Sequence, residues 1–278
     1  MTGAAFLGET DVTLRSWMAC LVMLFGALLA HGAEGPKPQD IAFRARVDGS
    51  TQHYAIILPE GFDAARSHAL LIVLHGHGSD RWQYITDPRD ECRVTRDVAA
   101  AHQMILVSPD YRARTSWMGP KAEADLLEIL EMLKARYHIR KTILCGGSMG
   151  ASSALTFAAM HPELVDGVVA MNGTANHLEY ENFQDAIRAS FGGAKAEIPE
   201  QYKKRSAEYW PERLRMPVGL TTGGKDALVP PDSVVRLAAI LKKLQPSVLL
   251  IHRPQGGHST NYEDGKAVLE FVVTKAGL

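Results

Sequence analysis

A serine set among glycines, Gly146-Gly147-Ser148-Met149-Gly150, lies between the apolar run Thr142-Ile143-Leu144-Cys145 and a helix-forming run from Ala151 to Met160. A strand, a sharp turn and a helix in that order would push Ser148 Oγ out of the turn as a nucleophile, with the glycines letting strand and helix close on each other. At this composition such a pentapeptide arises by chance roughly 0.1 times in a chain of this length, so it needs partners before it carries weight. A serine that attacks a carbonyl needs a base for its proton, a carboxylate to orient that base, and N–H donors for the oxyanion that forms. The chain offers a candidate for each.

The base is assigned to His258, in the glycine-rich stretch Gln255-Gly256-Gly257-His258-Ser259-Thr260. With 11 histidines present, position decides. A loop after the last apolar run can carry an imidazole over the serine turn, whereas His53, His68, His102, His138 and His161 fall within or beside expected strands and helices. The orienting acid is assigned to Asp226, in Gly223-Gly224-Lys225-Asp226-Ala227-Leu228-Val229-Pro230. Asp232 is the alternative, but its place before Ser233 suits a helix cap. The oxyanion donors are assigned to the backbone N–H of Met149, next to the nucleophile, and of His77 in Leu74-His75-Gly76-His77-Gly78-Ser79. A His75/His77 metal pair is the rival use of that stretch. No third ligand of suitable spacing stands nearby, so neither a metal nor a cofactor is expected.

These residues must be positioned by elements that the hydropathy pattern marks out. Strand signals alternate at 41–47 and 53–58, as in an antiparallel hairpin. Continuous apolar runs follow at 69–74, 104–107, 142–145, 165–171, 218–221 and 248–251, as strands covered on both faces require. Amphipathic stretches at 92–102, 122–137, 148–160, 232–244 and 262–276 separate them, which implies βαβ units and a mainly parallel sheet. About forty residues, 173–214, hold only short helical pieces at 183–190 and 199–208; they read as an insertion, either a lid over the sheet's C-terminal edge or an excursion away from it. The walls of the pocket are expected from 79–87 and 108–120, whose Trp82, Tyr111 and Trp117 are candidate substrate contacts or else simply pack these loops on the scaffold, and whose Arg81, Arg112 and Arg114 bind a carboxylate, are solvated, or pair with Asp87, Asp90 and Asp110.

Of the 278 residues 46% are hydrophobic and 22% charged, with a formal net charge of −1, so neither nucleic acid nor an anionic membrane is expected as the main partner. Small molecules or neutral polymers fit better. The segment 1–33 reads as a signal peptide: an apolar run from Trp17 to Ala30 follows Arg15 and precedes small residues at 30–33. The run is about 14 residues, short of the roughly 20 of a spanning helix, so export rather than anchoring is expected. Glu9 and Asp11 suit such a leader poorly, and Met18 is an alternative start. The catalytic domain is expected at 41–278. Cys92 and Cys145 are expected to stay unbridged.

Together these motifs resemble the α/β-hydrolase superfamily, in its esterase D, feruloyl or acetylxylan esterase and prolyl-oligopeptidase-like branches. The resemblance rests on Tyr54 to Gly61, Leu74 to Ser79, Gly146 to Gly150 with His161-Pro162, Gly223 to Pro230, and Gly257-His258, and spans about 41–275. It departs from the pattern at His77, where such loops often carry a small or apolar residue, and at Thr222-Gly223-Gly224, where His-Gly is common. What the resemblance implies is an α/β-hydrolase fold and the series Ser148, Asp226, His258. The expected function is an exported serine hydrolase acting on carboxylic esters through an acyl-enzyme, with carbohydrate esters among its substrates. Peptide cleavage, acyl transfer and a non-catalytic binding module are the alternatives. Peptide cleavage is disfavoured, since 278 residues leave no room for a large N-terminal propeller.

Overall fold

The computed structural model describes Met1 and residues 37–278; the expected signal peptide lies outside the described residues. Eight strands form one sheet: β1 (Gln39–Arg44), β2 (Thr51–Ile57), β3 (His68–Leu74), β4 (Ile105–Pro109), β5 (Ile139–Gly147), β6 (Gly167–Met171), β7 (Val218–Gly223) and β8 (Val248–Arg253). Their order across the sheet is β1-β2-β4-β3-β5-β6-β7-β8. β1 and β2 are the antiparallel hairpin, β2 runs antiparallel to β4, and the six strands from β3 to β8 are parallel. This is the architecture the resemblance implies.

The continuous apolar runs are explained by what covers the sheet. In β3 the side chains alternate between two cores, Leu70, Ile72 and Leu74 facing one and Ala69, Leu71 and Val73 the other. The helices are α1 (Gln83–Thr86), α2 (Asp90–Ala101), α3 (Pro120–Arg136), α4 (Met149–Met160), α5 (Gln184–Phe191), α6 (Pro199–Lys204), α7 (Asp232–Leu244) and α8 (Tyr262–Lys275). Val94 and Val98 of α2 meet Val268, Leu269 and Val272 of α8 in one core. Leu126 and Ile129 of α3, Leu155 and Phe157 of α4, and Leu237 and Leu241 of α7 fill the other. Burial of this kind contributes about 25 cal/mol per Å² of apolar surface, which is why both faces read as hydrophobic.

Of the expected boundaries that moved, two have a plain structural cause. β5 is longer than its apolar core, beginning at Ile139 because it pairs with β3 from His68 onward. β6 begins at Gly167 rather than Val165, because Pro162–Leu164 forms a single 3₁₀ turn before it. The segment 173–214 holds α5, α6 and two 3₁₀ turns, Ala207–Tyr209 and Pro211–Arg213. Cys92 and Cys145 are free and buried, and burial pushes both thiols up to about 12. No helix among the described residues is long and apolar enough to cross a membrane.

Candidate active site

Ser148 is the single residue between β5 and α4. Its backbone sits at φ 57, ψ −122, a conformation that costs a non-glycine residue roughly 1–3 kcal/mol and turns the side chain out of the sheet. Gly146 and Gly150 make the turn feasible: a Cβ on Gly150 would overlap the Leu74 carbonyl, and one on Gly146 the backbone of Gly150. The amide of Ser148 donates to the Met171 carbonyl at 2.8 Å, which fastens the turn to the end of β6.

Asp226 follows β7 and is buried, 5% exposed. Its Oδ1 accepts the amides of Leu228 (3.0 Å) and Val229 (2.9 Å), leaving Oδ2 to face His258 Nδ1 at 2.6 Å. A carboxylate only accepts, so Nδ1 carries the proton and Nε2, 2.8 Å from Ser148 Oγ, is free to accept the serine hydroxyl. The loops bearing acid and imidazole lie against each other because both are doubly glycine. Cβ atoms on Gly223 or Gly224 would overlap the backbone of Gly256, Gly257 or Pro254. Lys225 donates its amide to Gly256 O (2.8 Å) and Gly224 its own to Arg253 O (2.8 Å). Beyond His258, buried Thr260 accepts from Asn172 Nδ2 (2.8 Å) and lies 2.6 Å from Thr221 Oγ1, which ties the loop to the ends of β6 and β7.

The loop after β3 carries the second expected oxyanion donor. Its backbone is held by Gln83 Oε1, which accepts the Gly76 amide (2.7 Å), and by Arg114 O, which accepts the Gly78 amide (2.8 Å). The amides of His77 and Met149 have no hydrogen-bond acceptor among the described residues; Met149 opens its helix and so lacks an intrahelical one. Both ring nitrogens of His75 face backbone carbonyls, Gly76 O at 2.9 Å and Asp110 O at 3.1 Å, so the ring is engaged in fixing the loop rather than facing His77 as a metal partner.

A cavity of about 300 Å³ opens over Ser148 and His258. Its lining includes the polar side chains of Gln83, Tyr84, Arg89 and Glu91 and, with them, His77, Phe183 and Leu228. Arg89 is bonded to Asp87 (2.7 Å) and stands 3.7 Å from Glu91, while burial pushes the Glu91 carboxyl up. The three aromatic residues expected to touch substrate are not in this lining. Tyr111 and Trp117 are fully buried, the first donating its hydroxyl to His75 O (2.6 Å) and the second its indole N–H to His77 Nδ1 (3.3 Å). Trp82 packs under the Arg81 guanidinium, 5.3 Å from its ring. They build the loops instead of presenting a surface. Two of the three arginines are likewise committed, Arg81 to Asp40 and Asp110 and Arg112 to Asp48 and Asp125, while the third, Arg114, is exposed.

Phe183, Leu228, Arg89 and Glu91 were not foreseen as lining residues. Phe183 arrives from the insertion, which packs on the acid loop through Tyr180 Oη to Leu228 O (2.8 Å) and Asn182 Nδ2 to Ala227 O (3.0 Å). Nothing in its local pattern distinguishes it from a core position. For Leu228 the one available signal was its place two residues after Asp226.

A search of curated proteins by sequence finds no significant match. Among solved structures, the fold is similar to S-formylglutathione hydrolase from Agrobacterium tumefaciens (TM-score 0.67, 15% identity, 87% of this chain and 96% of that one). It is similar also to a ferulic acid esterase (TM-score 0.64, 17% identity, 87% and 98%) and to Pyrococcus horikoshii acylaminoacyl peptidase (TM-score 0.67, 17% identity, 87% and 42%). The chain spans 35% of the length of the first peptidase matched and 42% of the Pyrococcus one. The model of the prolyl oligopeptidase family matches residues 111–277, more than half of the chain. That span runs from the loop after β4 past the end of the last helix and contains the serine turn and both loops that meet above it, which makes the chain a member of the prolyl oligopeptidase family, a serine hydrolase of the α/β-hydrolase type.

Proposed function

We propose that the protein is an exported serine esterase in which Ser148 attacks the carbonyl of a carboxylic ester, His258 relays the proton and Asp226 fixes the imidazole. The observation that carries this reading is the unbroken series from Ser148 Oγ to His258 Nε2 (2.8 Å) and from Nδ1 to Asp226 Oδ2 (2.6 Å), set at the floor of an open cavity. As Oγ attacks, its proton passes to Nε2, the imidazolium is stabilised by Oδ2, and the amides of His77 and Met149 donate to the oxyanion. His258 then protonates the leaving alcohol. Water, activated by the same imidazole, releases the acid and frees the serine.

Esters of small molecules or of polysaccharides are the substrate class, and the similarity to a ferulic acid esterase and to S-formylglutathione hydrolase over nearly their whole lengths supports it. The test is hydrolysis of short p-nitrophenyl esters with a pre-steady-state burst and labelling by a fluorophosphonate. Both should vanish in Ser148→Ala. Labelling at another residue, or undiminished turnover by that variant, overturns the assignment. Amide cleavage is the second reading, favoured by the family itself; p-nitroanilides of short peptides cleaved faster than matched esters would select it. Export is supported by the residue pattern of 1–33 and is tested by fractionating cells and sequencing the mature N-terminus.

A further inference from the structure

The oxyanion role uses only the backbone of His77, yet His77 lines the cavity with Ser148 and His258, and its ring packs on Phe183, which lines the same cavity. The indole N–H of Trp117 lies 3.3 Å from His77 Nδ1. An indole nitrogen can only donate, so Nδ1 is the unprotonated nitrogen and the ring proton sits on Nε2. Trp117 is itself firmly held in that position. It is fully buried, its backbone is in the left-handed region at φ 45, and its ring packs 5.5 Å from Tyr180 and 5.6 Å from Phe183. Burial pushes the His77 imidazole below its ordinary value, which favours the neutral ring that this contact requires.

Nε2 lies on the ring edge away from the indole and has no hydrogen-bond partner among the described residues. The loop beneath it is fixed on both sides, at Gly76 by Gln83 and at Gly78 by Arg114. Phe183 packs on the ring of His77 with centroids 4.4 Å apart and continues the same wall. A fixed N–H donor therefore stands beside an apolar face in one wall of the cavity. Donor and face together match a group that has an oxygen acceptor next to a C–H surface.

We propose that His77 is a specificity residue whose Nε2–H, oriented by Trp117, binds a hydroxyl, ether or carbonyl oxygen of the substrate while Phe183 takes the adjoining apolar side. This rests on the esterase reading and narrows it: oxygen-bearing esters such as acylated sugars are preferred over plain alkyl esters. A plain alkyl chain leaves the donor unpaired once water is displaced, and that loss sets the preference.

Two pairs of near-isosteric esters locate the acceptor. p-Nitrophenyl methoxyacetate against p-nitrophenyl butyrate places it on the acyl part; tetrahydropyran-4-yl acetate against cyclohexyl acetate places it on the alcohol. The ratio of kcat/KM within each pair is compared among wild type, His77→Phe and His77→Gln, so that the intrinsic reactivity of each ester cancels. In one pair the ratio falls about tenfold in His77→Phe and is largely recovered in His77→Gln, which returns an N–H donor. Unchanged ratios in both pairs overturn the proposal. Nitrogen-15 spectra of the labelled wild type give an independent readout: Nε2 protonated and Nδ1 bare is the expected state, and a proton on Nδ1 overturns the proposal whatever the kinetics. Absence of turnover on all four esters by a folded wild type is a different result; it overturns the esterase reading and the proposal that rests on it.

Discussion

The hydroxyl of Tyr180 donates to the carbonyl of Leu228 across 2.8 Å and so joins the segment between β6 and β7 to the loop that carries Asp226. Asn182 adds bonds from Nδ2 to the carbonyls of Ala227 and Leu228 (3.0 and 2.9 Å). The insertion is thereby a fastened wall of the cavity, with Phe183 as its inner surface.

Cutting those bonds should loosen the wall without unfolding the core. In the double variant Tyr180→Phe, Asn182→Ala, each lost bond costs about 1 kcal/mol. Ester kcat/KM is expected to fall roughly tenfold, mostly through KM, while the circular dichroism spectrum stays that of the wild type. A drop confined to kcat would contradict this account.

Asp226→Asn keeps an oxygen that can accept from the amides of Leu228 and Val229 but offers an N–H or a neutral oxygen to His258. The imidazole then favours the wrong tautomer, and kcat is expected to fall by about 10⁴ with little change in KM. Steady-state kinetics on one activated ester decides it; a loss under tenfold would assign the orienting role to another acid such as Asp232.

Gly223→Ala places a methyl group against the carbonyls of Gly256 and Gly257. Overpacking of this kind costs about 1–3 kcal/mol and moves the acid and base loops apart. A shift of about 1 Å between reacting groups is worth roughly 10²-fold in rate. The variant is expected to melt a few degrees lower and to lose at least that much activity. Unaltered kinetics would show that the glycine contact is not what sets the Asp226 to His258 distance.

His177 is fully buried and burial, with the nearby Arg205 charge, pushes its imidazole from 6.5 down to about 3. The folded chain therefore keeps it neutral while the unfolded chain takes up a proton below pH 6.5. Its contribution to stability is complete above pH 6.5 and is lost as pH falls towards about 3, at up to about 1.4 kcal/mol per pH unit. Urea unfolding of wild type and His177→Phe between about pH 4 and 8 measures the difference. The variant should show a shallower dependence; parallel curves would refute the assignment.

How far residues alone disclosed this molecule depended on whether their neighbours lie close in sequence. The six parallel strands were legible because both faces of that part of the sheet are covered, which leaves continuous apolar runs in strands such as Leu70 to Leu74; alternation marked the hairpin, and amphipathic spacing the five long helices. Ser148, Asp226 and His258 were marked by the glycines that their sharp turns and close loop contacts require, and the structure sets them in one series. The aromatic residues left two readings open. Trp82, Tyr111 and Trp117 looked like surface for a ligand, but an aromatic ring near a site serves equally well as filler, and only tertiary packing separates the two. Phe183 was missed for the converse reason: its approach to His77 is created by the course of a long insertion, which no local periodicity encodes.

His258 hangs from β8, and β8 is one of the two edge strands of the sheet, paired among the described residues with β7 alone. Fraying at that margin would withdraw the imidazole while the interior strands, and Ser148 with them, remain in place. Warming should therefore silence the protein before it melts, with recovery on cooling as fast as a single strand can re-dock. A fluorophosphonate, which reports the competent serine, would lose its target ahead of any collapse visible to calorimetry.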